Sequence, residues 1–269
     1  MTLSSDVNVD FVNAYLDQGL LEYLSDSPDA YFEEMLWFLY DEYNIIVARS
    51  TLSAGLKRRR WSRKVMRMTA QQRNPGLRDD WIIRLCGYRR DQFVFVDESA
   101  CNKKTMDRKY GWAPINEPAE GTSELKRSKR WSLLPAYTSQ GYMPGWLIHQ
   151  GTVDGPMFFQ WIKNEVLAHM QPYPLPHSVL VMDNASIHRS EEIQRLCDAA
   201  GIKLEYLPPC SPDFNPVEAS FHDLKQWLRT HRFEANLWNN FGDFLNHAVE
   251  QQGFDKKAKG HFSRAGIKR

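Results

Sequence analysis

Three carboxylates occupy positions from which they could act together: Asp97, Asp183 and Glu218. Asp97 follows the wholly apolar, β-prone run Phe93-Val94-Phe95-Val96, and Asp183 follows a second such run, Ser178-Val179-Leu180-Val181-Met182. Short apolar runs of this kind read as strands buried on both faces. Each acid therefore ends a strand, and open α/β sheets gather their sites at the carboxyl ends of strands. Glu218 falls in the first turn of a helix opened by Asn215-Pro216 and led in by Pro208-Pro209-Cys210-Ser211-Pro212-Asp213-Phe214. Carboxylates that converge from separate elements supply hard oxygen ligands for divalent ions, usually Mg²⁺ or Mn²⁺. Two such ions about 3.5–4 Å apart clamp the attacking and leaving oxygens of an in-line phosphoryl displacement. Each acid also has a purely structural explanation. Asp97 before Glu98-Ser99 suits a turn, and Asp183-Asn184-Ala185-Ser186 has the composition of an Asx-turn. Residues 215–218, Asn-Pro-Val-Glu, make a capping box with proline at the first helical position. Taken singly, none of the three requires a metal; their joint arrangement favours one.

The elements that must position these acids follow from pattern. Arg130–Tyr137 and Tyr142–Gln150 read as two strands joined by a turn at Ser139-Gln140-Gly141. A helix is expected over Pro156–Met170, with Phe159, Ile162, Val166 and Leu167 on one side. Ser190 is placed to cap a helix through Ala200 that Gly201 closes, and Ile202–Leu207 forms a further strand. Asn215-Pro216 then opens a long helix toward Arg229. Three strands, a helix, then strand–helix–strand–helix predict a mixed α/β sheet with helices on its faces.

Upstream, the chain is divided by charge. The total is +1, yet residues 1–48 hold ten acids and no bases, and residues 49–78 hold ten bases and no acids. A neutral sum thus conceals a polyanion-binding segment beside an acidic head. Three helices fit between Val12 and Arg60. The first carries Leu16, Leu20, Leu21 and Leu24, and the second, from Ala30 to Tyr43, carries Phe32, Leu36 and Leu39. The third, capped by Ser50 or Thr51, buries Leu52 and Leu56, although Gly55 weakens it by about 1 kcal/mol. Three short helices ending in a basic one outline a helix-turn-helix module. Arg49, Ser50, Thr51, Lys57, Arg58, Arg59, Arg60, Arg63 and Lys64 are its DNA-binding candidates, the bases for phosphates and the small polar residues for base edges. Asn74-Pro75-Gly76 reads as a break, followed by a helix from Arg78 to Cys86. The expected organisation is a DNA-binding region over 1–62, a connector over 63–92, a catalytic α/β domain over 93–235, and a C-terminal helix with basic tail over 236–269.

Composition narrows the field. No apolar run exceeds the six residues Met35–Tyr40, so no transmembrane helix is expected, nor a secretory leader in a base-free start. Cys86, Cys101, Cys197 and Cys210 are widely spaced and read as free thiols of an intracellular protein. No phosphate-binding G-x-x-x-x-G-K occurs.

Three blocks resemble a known group. Val96-Asp97-Glu98-Ser99, then Val181-Met182-Asp183-Asn184-Ala185-Ser186-Ile187-His188-Arg189-Ser190, then Ser211-Pro212-Asp213-Phe214-Asn215-Pro216-Val217-Glu218 are similar to the signature blocks of mariner-superfamily DDE transposases. They occur in that family's order, with 34 residues between Asp183 and Glu218. The resemblance covers roughly residues 90–235. It implies a ribonuclease-H-like fold and a site of two Mg²⁺ or Mn²⁺ ions held by Asp97, Asp183 and Glu218. Asn184 and His188 would support that site. The implied activity is hydrolytic cleavage at an element's ends followed by attack of the freed 3′-hydroxyl on target DNA. The implied partners are double-stranded DNA, as terminal inverted repeats and target, and a second copy of the chain in the DNA complex. The implied location is intracellular, the nucleus in a eukaryotic host and otherwise the cytoplasm or nucleoid. Lys103–Trp131, with eight bases, falls where relatives carry a loop used in dimer contact and DNA handling. Relatives carry two helix-turn-helix units, whereas one is expected here. A descendant that binds DNA without catalysis is the alternative.

Overall fold

The computed structural model describes residues 19–66, 73–108, 110–120, 129–184, 191–251 and 254–268. It divides into two compact units, Met1–Thr69 and Ala70–Arg269. In the first, a helix over residues 19–26 (α1) is followed by α2 (Phe32–Tyr43) and α3 (Arg49–Arg58). Leu20, Leu24, Met35, Leu39, Ile45 and Leu52 are its buried core. Spacings of four, Leu20 to Leu24 and Met35 to Leu39, set each pair on one helical face. Gly19 is required by a close approach, because a Cβ there would collide with the Tyr43 hydroxyl.

The third helix starts earlier than the cap residues suggest. Extended Ala48 precedes it without a side-chain cap, and Ser50 and Thr51 lie inside the first turn. Its first residue is Arg49, whose guanidinium lies 4.8 Å above the Phe32 ring and 3.3 Å from Glu33. Gly55 is accommodated as a buried position of the helix, and its carbonyl accepts from Arg59 Nη1 at 3.1 Å.

The second unit begins with α4 (Pro75–Leu85). The expected break at Asn74-Pro75-Gly76 is instead the helix start: Asn74 accepts from the Leu77 N–H, and Pro75 occupies a position with no N–H to satisfy. The strands are β1 (Phe93–Val96), β2 (Ser99–Cys101), β3 (Trp131–Leu134), β4 (Ala136–Thr138), β5 (Gly141–Tyr142), β6 (Leu147–Gln150), β7 (Val179–Met182) and β8 (Lys203–Tyr206). Five form one sheet in the order β5-β4-β1-β7-β8, with β1, β7 and β8 parallel and β4 and β5 antiparallel. The other three form a small antiparallel sheet, β2-β3-β6.

The two sheets share one hairpin. The strand expected over Arg130–Tyr137 divides at Pro135 into β3 and β4, and its partner divides at Pro144-Gly145 into β5 and β6. Proline donates no ladder hydrogen bond, and Gly145 takes φ +87°. The hairpin stays paired through the break, where the Met143 N–H donates to Ala136 at 2.8 Å.

Alternation along β1 and β7 makes two cores. Phe93, Phe95, Val179 and Val181 face α7 (Pro216–Thr230), α8 (Phe241–Gln251) and α9 (Phe254–Arg264). Val94, Val96, Leu180 and Met182 face α5 (Gly155–Trp161) and α6 (Glu191–Ala199). The predicted helix over 156–170 is α5 continued by a wider turn at Ile162–Val166 and a tight one at Leu167–His169. Gly201 closes α6 at φ +69°, as predicted; Ser190, its expected cap, lies outside the described residues. Within residues 236–269, Phe244, Leu245, Ala248, Ala258, Phe262 and Ile267 belong to the core on the α7 side. The Phe262 ring meets Phe95 edge-on at 5.5 Å. The mixed sheet with helices on both faces, preceded by a small helical unit, is a ribonuclease-H-like α/β architecture. No helix among the described residues is long and apolar enough to cross a membrane.

Candidate active site

Strands β1 and β7 run parallel and in register, with Val96 opposite Met182. Asp97 and Asp183, the next residue on each, therefore leave the sheet side by side at its carboxyl edge. Neighbouring strands are about 4.8 Å apart, close enough for two carboxylates to share one divalent ion. Both acids are half-buried.

Asp97 is held from two sides. Its Oδ1 accepts from the Glu98 N–H at 2.7 Å, and its Oδ2 accepts from Asn215 Nδ2 at 2.8 Å. Asn215 is buried, and its own Oδ1 accepts from the Val217 N–H to cap α7. One side chain thus starts the helix that bears Glu218 and joins that helix to Asp97. The positive end of the α7 dipole consequently lies against the acidic edge of the sheet, where it favours negative charge.

The capping box expected over residues 215–218 does not form. The Asn215 N–H donates to Pro212 at 3.0 Å, and the Glu218 carboxylate makes no hydrogen bond or ion pair among the described residues. It is exposed in the first turn of α7, with both oxygens open to a further ligand.

The neighbouring acid Glu98 is engaged elsewhere. Arg130 Nη2 donates to it at 2.9 Å and Ser132 Oγ at 2.8 Å, tying the end of β1 to β3. Asn184 donates to the Leu207 carbonyl at 3.0 Å, joining the ends of β7 and β8 beside Asp183. His188 lies outside the described residues.

Sequence reasoning overlooked a clamp within the third block. Arg78 donates to both oxygens of Asp213, at 3.0 and 2.7 Å, and Arg73 adds a contact at 3.0 Å. The Arg78 guanidinium also lies 4.0 Å above the Phe214 ring. Hydrogen bonding from Arg78 holds the Asp213 carboxyl below its ordinary value. The only sequence signal was a base in the connector and an acid 135 residues later, which nothing local links. The four cysteines are free, as expected, and burial pushes the thiols of Cys101 and Cys197 up to about 11 and about 12.

The donor set is all carboxylate, which fits Mg²⁺ or Mn²⁺ and not a thiol- or imidazole-seeking metal. Asp97 and Asp183 approach from the sheet and Glu218 from the helix. Among the described residues no three His, Cys, Asp or Glu side chains converge on one point.

Of the DNA-binding candidates, Arg49, Ser50, Lys57, Arg58, Arg60, Arg63 and Lys64 are exposed, while Thr51 and Arg59 are partly covered. Arg49 is shared with Glu33. Between β2 and β3, residues 110–120 are exposed, including Tyr110, Trp112 and Ile115.

Comparison with known families matches residues 92–237, more than half of the chain, to the family described as DDE superfamily endonuclease. The chain belongs to that family. The matched region of this DDE endonuclease includes β1, β7, β8 and α7, and with them all three acids. No curated protein matches the sequence significantly. The fold is similar to that in the crystal structure of the mariner Mos1 paired end complex with Mg. That match has 16% identity and a TM-score of 0.59, covering 99% of this chain and 82% of that one. The Mos1 Strand Transfer Complex matches at 15% identity and TM-score 0.59, covering 99% and 81%. The Mos1 paired end complex with Mn matches at 14% and 0.58, covering 99% and 82%.

Proposed function

We propose that this DDE endonuclease is a mariner-type DNA transposase, which cuts DNA at an element's ends and joins the freed 3′-hydroxyl to target DNA. The observation that carries the reading is the pairing of Asp97 with Asp183 at adjacent strand ends, with Asn215 drawing the helix of Glu218 up to Asp97. Asp97, Asp183 and Glu218 are the ligands in this reading, for two Mg²⁺ or Mn²⁺ ions. When bound, such ions offset charge on the attacking and leaving oxygens of an in-line displacement. The chain's own residues do the positioning. Asn215 orients Asp97, Asn184 ties the residue after Asp183 to the end of β8, and the α7 N-terminus favours an anionic phosphate nearby. His188 is assigned a supporting place by the second block alone.

Residues 1–62 would bind duplex DNA at the element's terminal inverted repeats through α3 and the bases after it, with residues 63–92 as connector and 93–235 as catalytic domain. Two of the similar Mos1 structures are described as paired end complexes, and in this reading two copies of this chain engage two DNA ends. In this reading the protein acts in the nucleus of a eukaryotic host, or otherwise in the cytoplasm or nucleoid.

The test offers labelled DNA bearing the element's ends, with Mg²⁺ or Mn²⁺, to wild type and Asp183→Ala. Cleavage by wild type alone, with equal binding by both, is expected. If both bind equally and neither cuts, the chain is a DNA-binding derivative and the catalytic reading fails. Lys57, Arg58 and Arg59 to Ala together should weaken binding and flatten its salt dependence; an unchanged slope would place the DNA surface elsewhere.

A further inference from the structure

Helix α9 carries a charge pattern that its place in the core does not explain. Residues 254–269 hold six bases, Lys256, Lys257, Lys259, Arg264, Lys268 and Arg269, and one acid, Asp255. The buried side of the helix sets Ala258 and Phe262 in the core, with Ala265 and Ile267 buried beyond them and one polar residue, His261, buried against the Tyr137 hydroxyl. Lys256, Lys257, Lys259 and Arg264 all lie on the exposed side. A solvated helix face ordinarily interleaves both signs, as α7 does with Glu218, Asp223, Lys225 and Arg229. Among the described residues only Lys257 of the exposed bases on α9 forms an ion pair, 3.0 Å from Asp223; Lys256 and Lys259 form none.

That one ion pair also places the surface. Asp223 lies five residues beyond Glu218 on α7, about 7.5 Å along the helix axis at 1.5 Å per residue. His261, one turn after Lys257, is 3.4 Å from the same carboxylate. At the far end Arg90, just before β1, donates to the Lys268 carbonyl. Helix α9 therefore lies beside α7, with Phe262 in its last turn over Phe95, two residues before Asp97, and the chain beyond the helix reaches the opposite edge of the sheet at Lys268.

We infer that the exposed face of α9 is a second DNA-backbone surface, on which Lys256, Lys259 and Arg264 contact the phosphates of the duplex next to the scissile bond. This rests on the reading of the chain as a DNA-cutting enzyme. The occupant is duplex DNA because the face offers a row of point charges and no groove, which suits a regular phosphate array and carries no sequence preference. A phosphate neutralised by a base releases counterions, so each contact steepens the salt dependence of binding by about 0.9 in log–log slope.

The experiment measures binding of the full-length protein to an element-end duplex with flanking DNA, between 50 and 200 mM salt. It compares wild type, Lys256→Gln/Lys259→Gln/Arg264→Gln, and Lys256→Arg/Lys259→Arg. The triple glutamine variant should lose about 2.7 from the slope and bind more weakly throughout that salt range. The arginine variant should keep the wild-type slope, which separates charge from fold. The lost protection in a hydroxyl-radical footprint should lie on the flanking side of the cut. A slope unchanged in the glutamine variant, or lost equally in the arginine variant, overturns the inference. Wild type that neither binds nor cuts the duplex overturns the enzymatic reading instead.

Discussion

The pivotal bond of the site is the one from Asn215 Nδ2 to Asp97 Oδ2, and Asn215→Asp isolates it. Aspartate caps a helix as well as asparagine does, so α7 keeps its start. What changes is the second contact, in which a donor 2.8 Å from a carboxylate becomes another carboxylate. Losing a hydrogen bond to an ionised acceptor costs about 1.5–3 kcal/mol. Two like charges about 4 Å apart at an effective dielectric of about 20 add up to about 4 kcal/mol, which the pair escapes in part by sharing a proton. We expect a net loss of about 3–4 kcal/mol at pH 8 in EDTA, which lowers Tm by roughly 10 °C for a unit of this size. The folded pair binds its proton more tightly than the unfolded carboxyls do. The deficit is therefore fully present above the raised folded pKa and is relieved as pH falls through it. Asn215→Ala removes the cap, worth about 1 kcal/mol, and the same hydrogen bond, but adds no charge. Its deficit relative to wild type should vary far less with pH. The assay is thermal unfolding of wild type and both variants from pH 8 to pH 5. An Asp deficit that stays flat across that range, or that parallels the Ala deficit throughout, would show that residue 215 does not face Asp97.

Three further perturbations test the surrounding construction. Arg78→Ala removes the paired hydrogen bonds to Asp213 and the stacking on Phe214, together about 1–2 kcal/mol because Asp213 is half exposed and screened. Since the folded Asp213 carboxyl is depressed, that contribution is present above its unfolded pKa and should fade in acid melts as pH falls through the folded value. Asp97→Asn should cut DNA cleavage on the order of 100-fold or more, whereas Glu98→Gln, which leaves an acceptor for Arg130 and Ser132, should change it only a few-fold. Equal losses in single-turnover assays would mean that the two acids share one role. Gly19→Ala should destabilise the helical unit by about 1–3 kcal/mol through collision with the Tyr43 hydroxyl, and Tyr43→Phe should restore part of that loss in circular-dichroism melts.

Strands β1 and β7 were legible because burial on both faces leaves a continuous apolar run, and an acid directly after such a run marks where the chain leaves the sheet. The division of the hairpin was not. Pro135 announces a lost hydrogen bond, but which sheet each half joins depends on β1 and β2, which lie well upstream in sequence. Helix α9 was illegible for a related reason. Its core positions, Ala258, Phe262 and Ile267, are few and set among lysines, so local composition reads as a tail and only the Phe95 and Tyr137 rings explain the burial of Phe262. The block before Glu218 is the most instructive. Read locally, Asn215 is a helix cap, and a cap competes with a site as the reason for the residue. In the structure the competition disappears, because the cap oxygen faces Val217 while the amide nitrogen faces Asp97. An aspartate or serine would cap α7 equally well, yet neither carries the amide that holds a carboxylate across the sheet edge. Asparagine is therefore the residue that both requirements select, and Glu218, released from the capping box, keeps its carboxylate open for the site.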